Sequence, residues 1–516
     1  MEYKAKTCVW EITVACNMRC KHCGSSCTNA SEDELTTEEA LDACRQMGEI
    51  GVEWVTLSGG EPTTRKDWNI IAKGLTDNGI IPSMITNAWL LDEDLIEKAE
   101  ESGINTIAIS IDGNNNTHDF IRKPGAFERA LKGLDLIRQS SYLHSAVITT
   151  VNSENITELN EMKEIFIEHG VENWQIQFGL PMGNMSHNKD LVISPAVVDK
   201  IIEFAYEIMQ EGKINIDLAD CVGYFNLKEI KIRQQSLKNR NNEDFDGYSW
   251  SGCGAGKVGF GLLNNGDVVG CTSIRSKEFI EGNIKKQPLK EIWNSDNNFN
   301  WNREMKKEKL EGKCKKCLYG QVCKGGCSNS RLTMNGTLYS ENKYCSYNYA
   351  LTRAESSLKT VDDVALLLKK ADKFISSNNL QLGEIALSLA NDKKTNDIDI
   401  LNKLAYVNYK MQNFEYSKQL NEKILELDSN NCYSTKGLGL CLIELEEIEE
   451  GLRYLYKSIE LVDGSYLDPY YDLAITLLNL GKVDEAKNII NEAEKKYSDF
   501  KCLKNKFIRE LEAYTK

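Results

Sequence analysis

Three cysteines, Cys16, Cys20 and Cys23, fall within eight residues of one another, directly after a short apolar β-type segment at 9–14. Thiolates spaced this tightly suit three irons of a cubane iron–sulfur cluster. No fourth thiolate stands at matching spacing, so the fourth iron would keep an open position for a ligand, as a catalytic rather than a bracing metal does. Cys27 would occupy that position and is not assigned to the set, while His22 is expected to pack beside it.

A second set lies downstream. Cys253 is followed after twelve residues by Gly266 and after four more by Cys271; then come Cys314-x2-Cys317-x5-Cys323-x3-Cys327-x17-Cys345. Asn264-Asn265-Gly266-Asp267 reads as a hairpin turn that would bring Cys253 and Cys271 together. Cys-x2-Cys pairs also suit zinc, so a zinc ribbon stands as the structural alternative. Cys8, Cys44, Cys432, Cys441 and Cys502 read as ordinary buried thiols, and disulfides are not expected of a chain kept in a reducing compartment.

The elements that must position these thiols follow from periodicity. Strand candidates at 9–14, 54–58, 81–86, 106–112, 146–151 and 174–178 alternate with amphipathic helical segments at 37–50, 69–78, 93–102, 127–139 and 157–169. Six βα units in succession imply a parallel sheet with right-handed crossovers, as a partial barrel or a doubly wound sheet. In both, chemistry gathers where strands end. The cysteine triad, Gly59-Gly60-Glu61 and Asp112-Gly113 follow strands one, two and four and so share one rim. Residues 182–250 form a polar bridge, with 236–246 (SLKNRNNEDFD) an exposed linker, and a Gly- and Cys-rich stretch follows.

The chain has 516 residues, 41% hydrophobic and 27% charged, with net charge −15. That length suits about three domains. The negative charge, with no basic stripe to offset it, argues against nucleic-acid binding. No apolar run nears the roughly 18 residues of a membrane span, and MEYKAKTCVW is no secretion signal; a cytoplasmic location is expected.

Cys16-Asn-Met-Arg-Cys20-Lys-His-Cys23 resembles the C-x3-C-x2-C segment of the radical S-adenosylmethionine enzymes, which follows the first strand of a partial βα barrel. The resemblance implies a [4Fe–4S] cluster that chelates S-adenosylmethionine and, on reduction, yields a hydrogen-abstracting 5′-deoxyadenosyl radical. Ser58-Gly59-Gly60-Glu61-Pro62 matches the family's segment for the methionyl amino group; glycine lets backbone approach a ligand, and Glu61 could accept from an ammonium. Ser110 stands where relatives contact the cofactor's carboxylate or ribose, Arg122 could reach the same carboxylate or lie on the surface, and Asn152 is a candidate for the ribose. Gln175 and Gln177 could face the cavity or bury normally. No residue is singled out as an acid–base catalyst. The downstream cysteines resemble the SPASM extension, which implies two auxiliary [4Fe–4S] clusters. Cys314, Cys317, Cys323 and Cys345 would saturate one, and Cys253, Cys271 and Cys327 would hold the other. The missing eighth ligand is Cys221, a non-cysteine group or nothing.

From about residue 361 the chain repeats. Leu404-Ala405, Leu438-Gly439 and Leu473-Ala474 are 34 and 35 residues apart, and twelve residues after each small residue comes Ser417, Gly451 or Ala486. This resembles tetratricopeptide repeats, helix pairs stacked into a solenoid.

The expected architecture is therefore α/β, a partial (βα)6 TIM-like barrel at 1–235, a SPASM-type iron–sulfur module at 236–355 and an all-α repeat region at 361–516. The expected activity is oxidation of a ribosomally made precursor peptide, forming a thioether or carbon–carbon crosslink, with flavodoxin or ferredoxin as low-potential electron donor. Many peptide-modifying relatives carry a winged-helix recognition domain before the barrel. Here the barrel begins near residue 7, and the repeats are expected to take over that role. The alternatives are sulfatase-maturase-like oxidation of a protein Cys or Ser, a small-molecule reaction such as haem side-chain or sugar dehydrogenation, and an interaction scaffold with decayed clusters.

Overall fold

A computed structural model of the chain describes residues 3–241 and 250–514. Strands β1 (Thr7–Thr13), β2 (Trp54–Gly59), β3 (Ile81–Thr86), β4 (Thr106–Ser110), β5 (His144–Val151) and β6 (Asn173–Phe178) pair in parallel in chain order. That succession is the wall of a partial barrel; a doubly wound sheet would reverse its order part-way. β7 (Asn215–Leu218) continues the sheet beyond β6, and β8 (Gly259–Leu262) adds parallel to β1. β9 (Asp267–Val269) and β10 (Ile280–Asn283) complete a ten-stranded sheet antiparallel to their neighbours.

Helices α1 (Thr37–Glu49), α2 (Trp68–Asp77), α3 (Glu93–Glu101), α4 (Asn115–Ile121), α5 (Ala126–Gln139) and α6 (Leu159–Glu168) connect the first six strands. α1 starts at a capping box, in which Thr36 and Glu39 satisfy each other's backbone N–H. One face of the sheet packs into an apolar core with Trp10, Ile12, Leu57, Ile109, Val147 and Trp174, all fully buried. Each such side chain is worth about 1.5–3 kcal/mol when removed from water.

The segment read as a linker at 236–246 is otherwise. Its first part belongs to a helix, Leu227–Asn241, and Ser236 donates to Asp217 of β7; 242–249 lie outside the described residues. The expected hairpin is present: β8 and β9 pair antiparallel, with Gly266 in the turn at φ +88°.

The chain divides into two compact units, the first comprising residues 1–315 and 319–349, the second 316–318 and 350–516. In the second unit, helices Val364–Ser376, Leu380–Lys393, Ile398–Lys410, Phe414–Leu427, Cys432–Glu444, Ile448–Glu460, Asp468–Asn479 and Val483–Lys496 each pack against the next. Small residues stand where partners cross. A Cβ on Gly439 would lie 2.9 Å from the Gly451 carbonyl oxygen, and the Ser417 hydroxyl donates to the Ala405 carbonyl at 2.8 Å.

Candidate functional site

The cysteine triad occupies the loop after β1, and that loop is held from several sides. Cys16 N–H donates to the Thr28 carbonyl at 2.9 Å and Lys21 N–H to the Ile121 carbonyl at 2.9 Å. Asn184 and Asn188, in the turn after β6, donate side-chain amides to the carbonyls of Cys20 (3.0 Å) and Lys21 (3.2 Å). Ser26 N–H points at the Cys23 sulfur at 3.3 Å. Nothing in the sequence marked Asn184 or Asn188, because a lone Asn in a polar stretch carries no periodic signal.

A buried charged group lies beside the loop. Asp112, directly after β4, is fully buried and accepts from His22 Nε2 at 2.7 Å, from Arg122 Nε at 2.6 Å and from Thr150 N–H at 2.7 Å. Burial alone would raise its carboxyl, but Arg122 and His22 hold it well below the usual carboxylate range. Arg122 therefore does not lie on the surface; its Nε pairs with Asp112 and its Nη1 stands 4.0 Å from the Cys20 sulfur.

The Gly59-Gly60 segment packs closely on β1 and the loop after it. A Cβ on Gly60 would lie 2.1 Å from the Ala15 carbonyl oxygen, and one on Gly59 2.2 Å from that of Thr13. The glycines thus let β2 run against the strand leading into Cys16, with Gly60 and Glu61 N–H donating to Thr13 and Ala15 at 2.8 Å. Glu61 is 1% exposed. Its carboxylate accepts from Thr63 N–H (3.2 Å), the Thr63 and Thr86 hydroxyls (2.6 and 2.7 Å) and Asn87 N–H (2.7 Å). The carboxylate ties loop to β3. Asn152 is likewise turned inward: it is fully buried, accepts from Glu154 N–H and donates to the Thr150 carbonyl, both at 3.0 Å. Ser58 and Ser110 remain half-buried at their strand ends, and strand register puts them on the same face as Thr150, Gln175 and Gln177. Gln177 donates to the Thr150 hydroxyl at 3.0 Å. This polar, half-buried face is opposite the apolar core.

Arg275, from the loop after Cys271, forms a two-pronged ion pair with Glu11 of β1 and donates to Ser25 at 2.6 Å. Beside them the Cys27 thiol is pushed up to about 12 by burial and by the Glu11 carboxylate. The downstream cysteines are braced similarly. Asn302 donates to the carbonyls of Cys253 and Ala255 at 2.8 and 2.7 Å. Asn348 donates its N–H to the Cys345 sulfur at 3.4 Å and its amide to the Cys314 sulfur at 3.2 Å. A fully buried Arg331 lies in electrostatic reach of Cys314, Cys253 and Cys327. Cys317 belongs to the segment that groups with the second unit. Among the described residues no three His, Cys, Asp or Glu side chains converge as a single metal ion requires.

The donor set fits iron–sulfur clusters. Soft thiols lie on braced loops and short helices, a buried cation stands beside each group to offset thiolate charge, and the buried Asn17 amide nitrogen next to Cys16 has no partner. Residues 10–166 match the Radical SAM superfamily, and residues 253–318 match SPASM, an iron–sulfur cluster-binding domain. The second span takes in Cys253, Cys271, Cys314 and Cys317 and ends before Cys323. An AdoMet-dependent heme synthase of Methanosarcina barkeri is 34% identical over 343 residues, 66% of this chain and 95% of that protein. The chain belongs to the radical SAM superfamily. Its cofactors are a [4Fe–4S] cluster with S-adenosylmethionine, and auxiliary iron–sulfur clusters. Mycofactocin maturase MftC of Mycolicibacterium smegmatis is 25% identical over 320 residues, 62% of this chain and 76% of that protein. In fold, the chain is similar to Streptococcus suis SuiB bound to its precursor peptide SuiA, with TM-score 0.54 and 17% identity over 66% of this chain and 75% of that one. No helix among the described residues is long and apolar enough to cross a membrane.

Proposed function

We propose that this radical SAM enzyme oxidises a polypeptide, most simply a ribosomally made precursor peptide, forming a thioether or carbon–carbon crosslink. The observation that carries the reading is the appended helical unit. The Methanosarcina heme synthase is spanned over 95% of its length by 66% of this chain, so it has almost nothing left to match the remaining third. That third is largely the run of helix pairs, read as a tetratricopeptide-like solenoid, whose extended faces suit a peptide. In this reading 1–235 is the barrel, 236–355 the auxiliary-cluster module and 361–516 the recruiting region. The enzyme works in the cytoplasm with flavodoxin or ferredoxin as donor.

The cluster and S-adenosylmethionine together supply a hydrogen-abstracting radical. The chain's own residues do the rest. Cys16, Cys20 and Cys23 hold the first cluster; Cys253, Cys271, Cys314, Cys317, Cys323, Cys327 and Cys345 hold the auxiliary ones. The Gly59-Gly60 backbone, Ser58 and Ser110 line the cofactor, while Glu61, Asp112, Arg122 and Asn152 position that edge without touching it. Thr150, Gln175 and Gln177 present amides and hydroxyls that orient substrate.

A second reading is oxidation of porphyrin propionate side chains, favoured by the 34% identity to the heme synthase. Anaerobic reconstitution separates the two. Full-length enzyme is offered either Fe-coproporphyrin III or a short Cys-bearing peptide chosen from any small reading frames found beside its gene. The peptide reading expects two hydrogens lost from the peptide per event, and deletion of 361–516 to weaken peptide binding while sparing cofactor cleavage. Loss of carbon dioxide from the porphyrin, with the peptide untouched, would favour the second reading instead.

A further inference from the structure

We infer that Cys221 joins Cys253, Cys271 and Cys327 as the fourth thiolate of one auxiliary iron–sulfur cluster, closing that cluster to direct ligation by substrate. The inference rests on the assignment of those three cysteines as ligands. The seven downstream cysteines are one short of the eight that two fully protein-ligated cubanes need.

Cys221 sits in the turn that ends β7, and this turn is built into the cysteine module. Ala219 N–H continues the sheet to the Ile176 carbonyl at 2.9 Å, and Val222 N–H closes the turn onto Ala219 at 3.0 Å. Three residues after Cys221, the fully buried Tyr224 accepts Cys327 N–H on its hydroxyl at 2.8 Å. Gly326 lies so close that a Cβ there would fall 2.5 Å from the Tyr224 ring. Gly223 N–H donates to the Tyr344 carbonyl at 3.2 Å, and the Cys345 thiol lies 3.9 Å from the Tyr224 carbonyl. The turn is thereby fixed to the loops of Cys327 and Cys345 alike. Burial and then the neighbouring Cys253, Cys221 and Cys271 all push the Cys327 thiol up, which puts the four sulfurs in one electrostatic neighbourhood.

The hydrogen bonding at Cys221 matches that at two of the assigned ligands. Its sulfur accepts Phe178 N–H at 3.3 Å, as Cys23 accepts Ser26 N–H at 3.3 Å and Cys345 accepts Asn348 N–H at 3.4 Å. Such bonds favour thiolate over thiol. The competing ligand is the neighbouring Asp220, which lies in reach of Cys271 but is exposed and a hard oxygen donor, poorly matched to iron–sulfur.

The test is electron paramagnetic resonance of the reduced, reconstituted full-length enzyme and its Cys221→Ala and Asp220→Asn variants. Cys221→Ala is expected to lose or shift the signal of one auxiliary cluster while the signal that responds to S-adenosylmethionine stays, and Asp220→Asn to match wild type. Unchanged auxiliary signals in Cys221→Ala, or a shift in Asp220→Asn instead, would overturn the inference. Should Cys221→Ala not fold, iodoacetamide labelling of wild type decides: Cys221 labels more slowly in the reconstituted than in the iron-free protein, and equal rates refute its ligation. Cys253→Ala checks the underlying assignment separately, since an unchanged auxiliary spectrum there would remove that assignment whatever Cys221 does.

Discussion

Asp112→Asn should destabilise the first unit heavily, and the amount follows from the burial of its partners. Asp112 is fully buried and the Arg122 side chain is 9% exposed. An Asn at 112 can still accept from Thr150 N–H, but its amide nitrogen would face Arg122 Nε. His22 can turn an acceptor nitrogen to that amide by changing tautomer; Arg122 has no acceptor to offer. In the iron-free protein the Cys20 thiol, pushed up to about 11 chiefly by burial, is neutral at pH 7 and gives Arg122 no compensating charge. An uncompensated buried guanidinium costs about 3–5 kcal/mol. The Asp112 carboxyl sits below its ordinary 3.8, so this contribution is complete above about pH 4 and fades only as pH falls through the lower, folded value. The whole loss is therefore seen at pH 7. Removing both charges, Asp112→Asn with Arg122→Met, should leave the protein within about 1–2 kcal/mol of wild type, a strongly non-additive cycle. Urea unfolding followed by tryptophan emission is the assay, because all eight tryptophans precede residue 302 and report on the first unit. A single-variant cost below about 1 kcal/mol, or a double variant equal to the sum of the singles, would refute the reasoning.

Gly60→Ala puts a methyl 2.1 Å from the Ala15 carbonyl oxygen, so the strand leading to Cys16 must move. S-adenosylmethionine affinity, measured by anaerobic equilibrium dialysis, should fall about tenfold or more, about 1.4 kcal/mol. Glu61→Gln sets an amide donor against Thr or Asn87 donors and should cost about 1–3 kcal/mol of stability by urea unfolding; weakened cofactor binding at unchanged stability would return Glu61 to the ligand. His118, held down to about 3 by burial and Arg122, accepts Asp112 N–H while neutral. Folding then excludes a proton that the unfolded chain binds below about 6.5, so stability should decline as pH falls from about 6.5. His118→Asn, which keeps an acceptor, should flatten that slope.

The barrel was legible because its pattern is local. Alternation at β1–β6 and the 3.6-residue period of α1–α3, α5 and α6 placed each of these within about two residues of its observed ends, whereas the two-turn α4 gave no readable period. The small residues spaced along the C-terminal helices were legible for the same reason. Pairings across the fold were not. Arg122 and Asp112 are ten residues apart with no period linking them, and only the burial of Asp112 turns that arginine inward. The inward protein partners of Glu61 and Asn152 carry no sequence signal, because sequence does not show which side of a strand-end loop is buried. The helix Leu227–Asn241 was read partly as linker because polar residues dominate its last turns. β7 was passed over because four residues are too few to show alternation.

The measurement that bears most directly on the peptide reading is deuterium transfer. Full-length enzyme, reconstituted and reduced, is incubated with S-adenosylmethionine and a Cys-bearing test peptide, drawn from any small reading frames found beside the gene, that carries deuterium on its carbon-bound positions. Deuterium is expected in the 5′-deoxyadenosine formed, with loss of hydrogen from the peptide. Unlabelled 5′-deoxyadenosine with an unaltered peptide, alongside deuterium transfer from a labelled porphyrin, would contradict it.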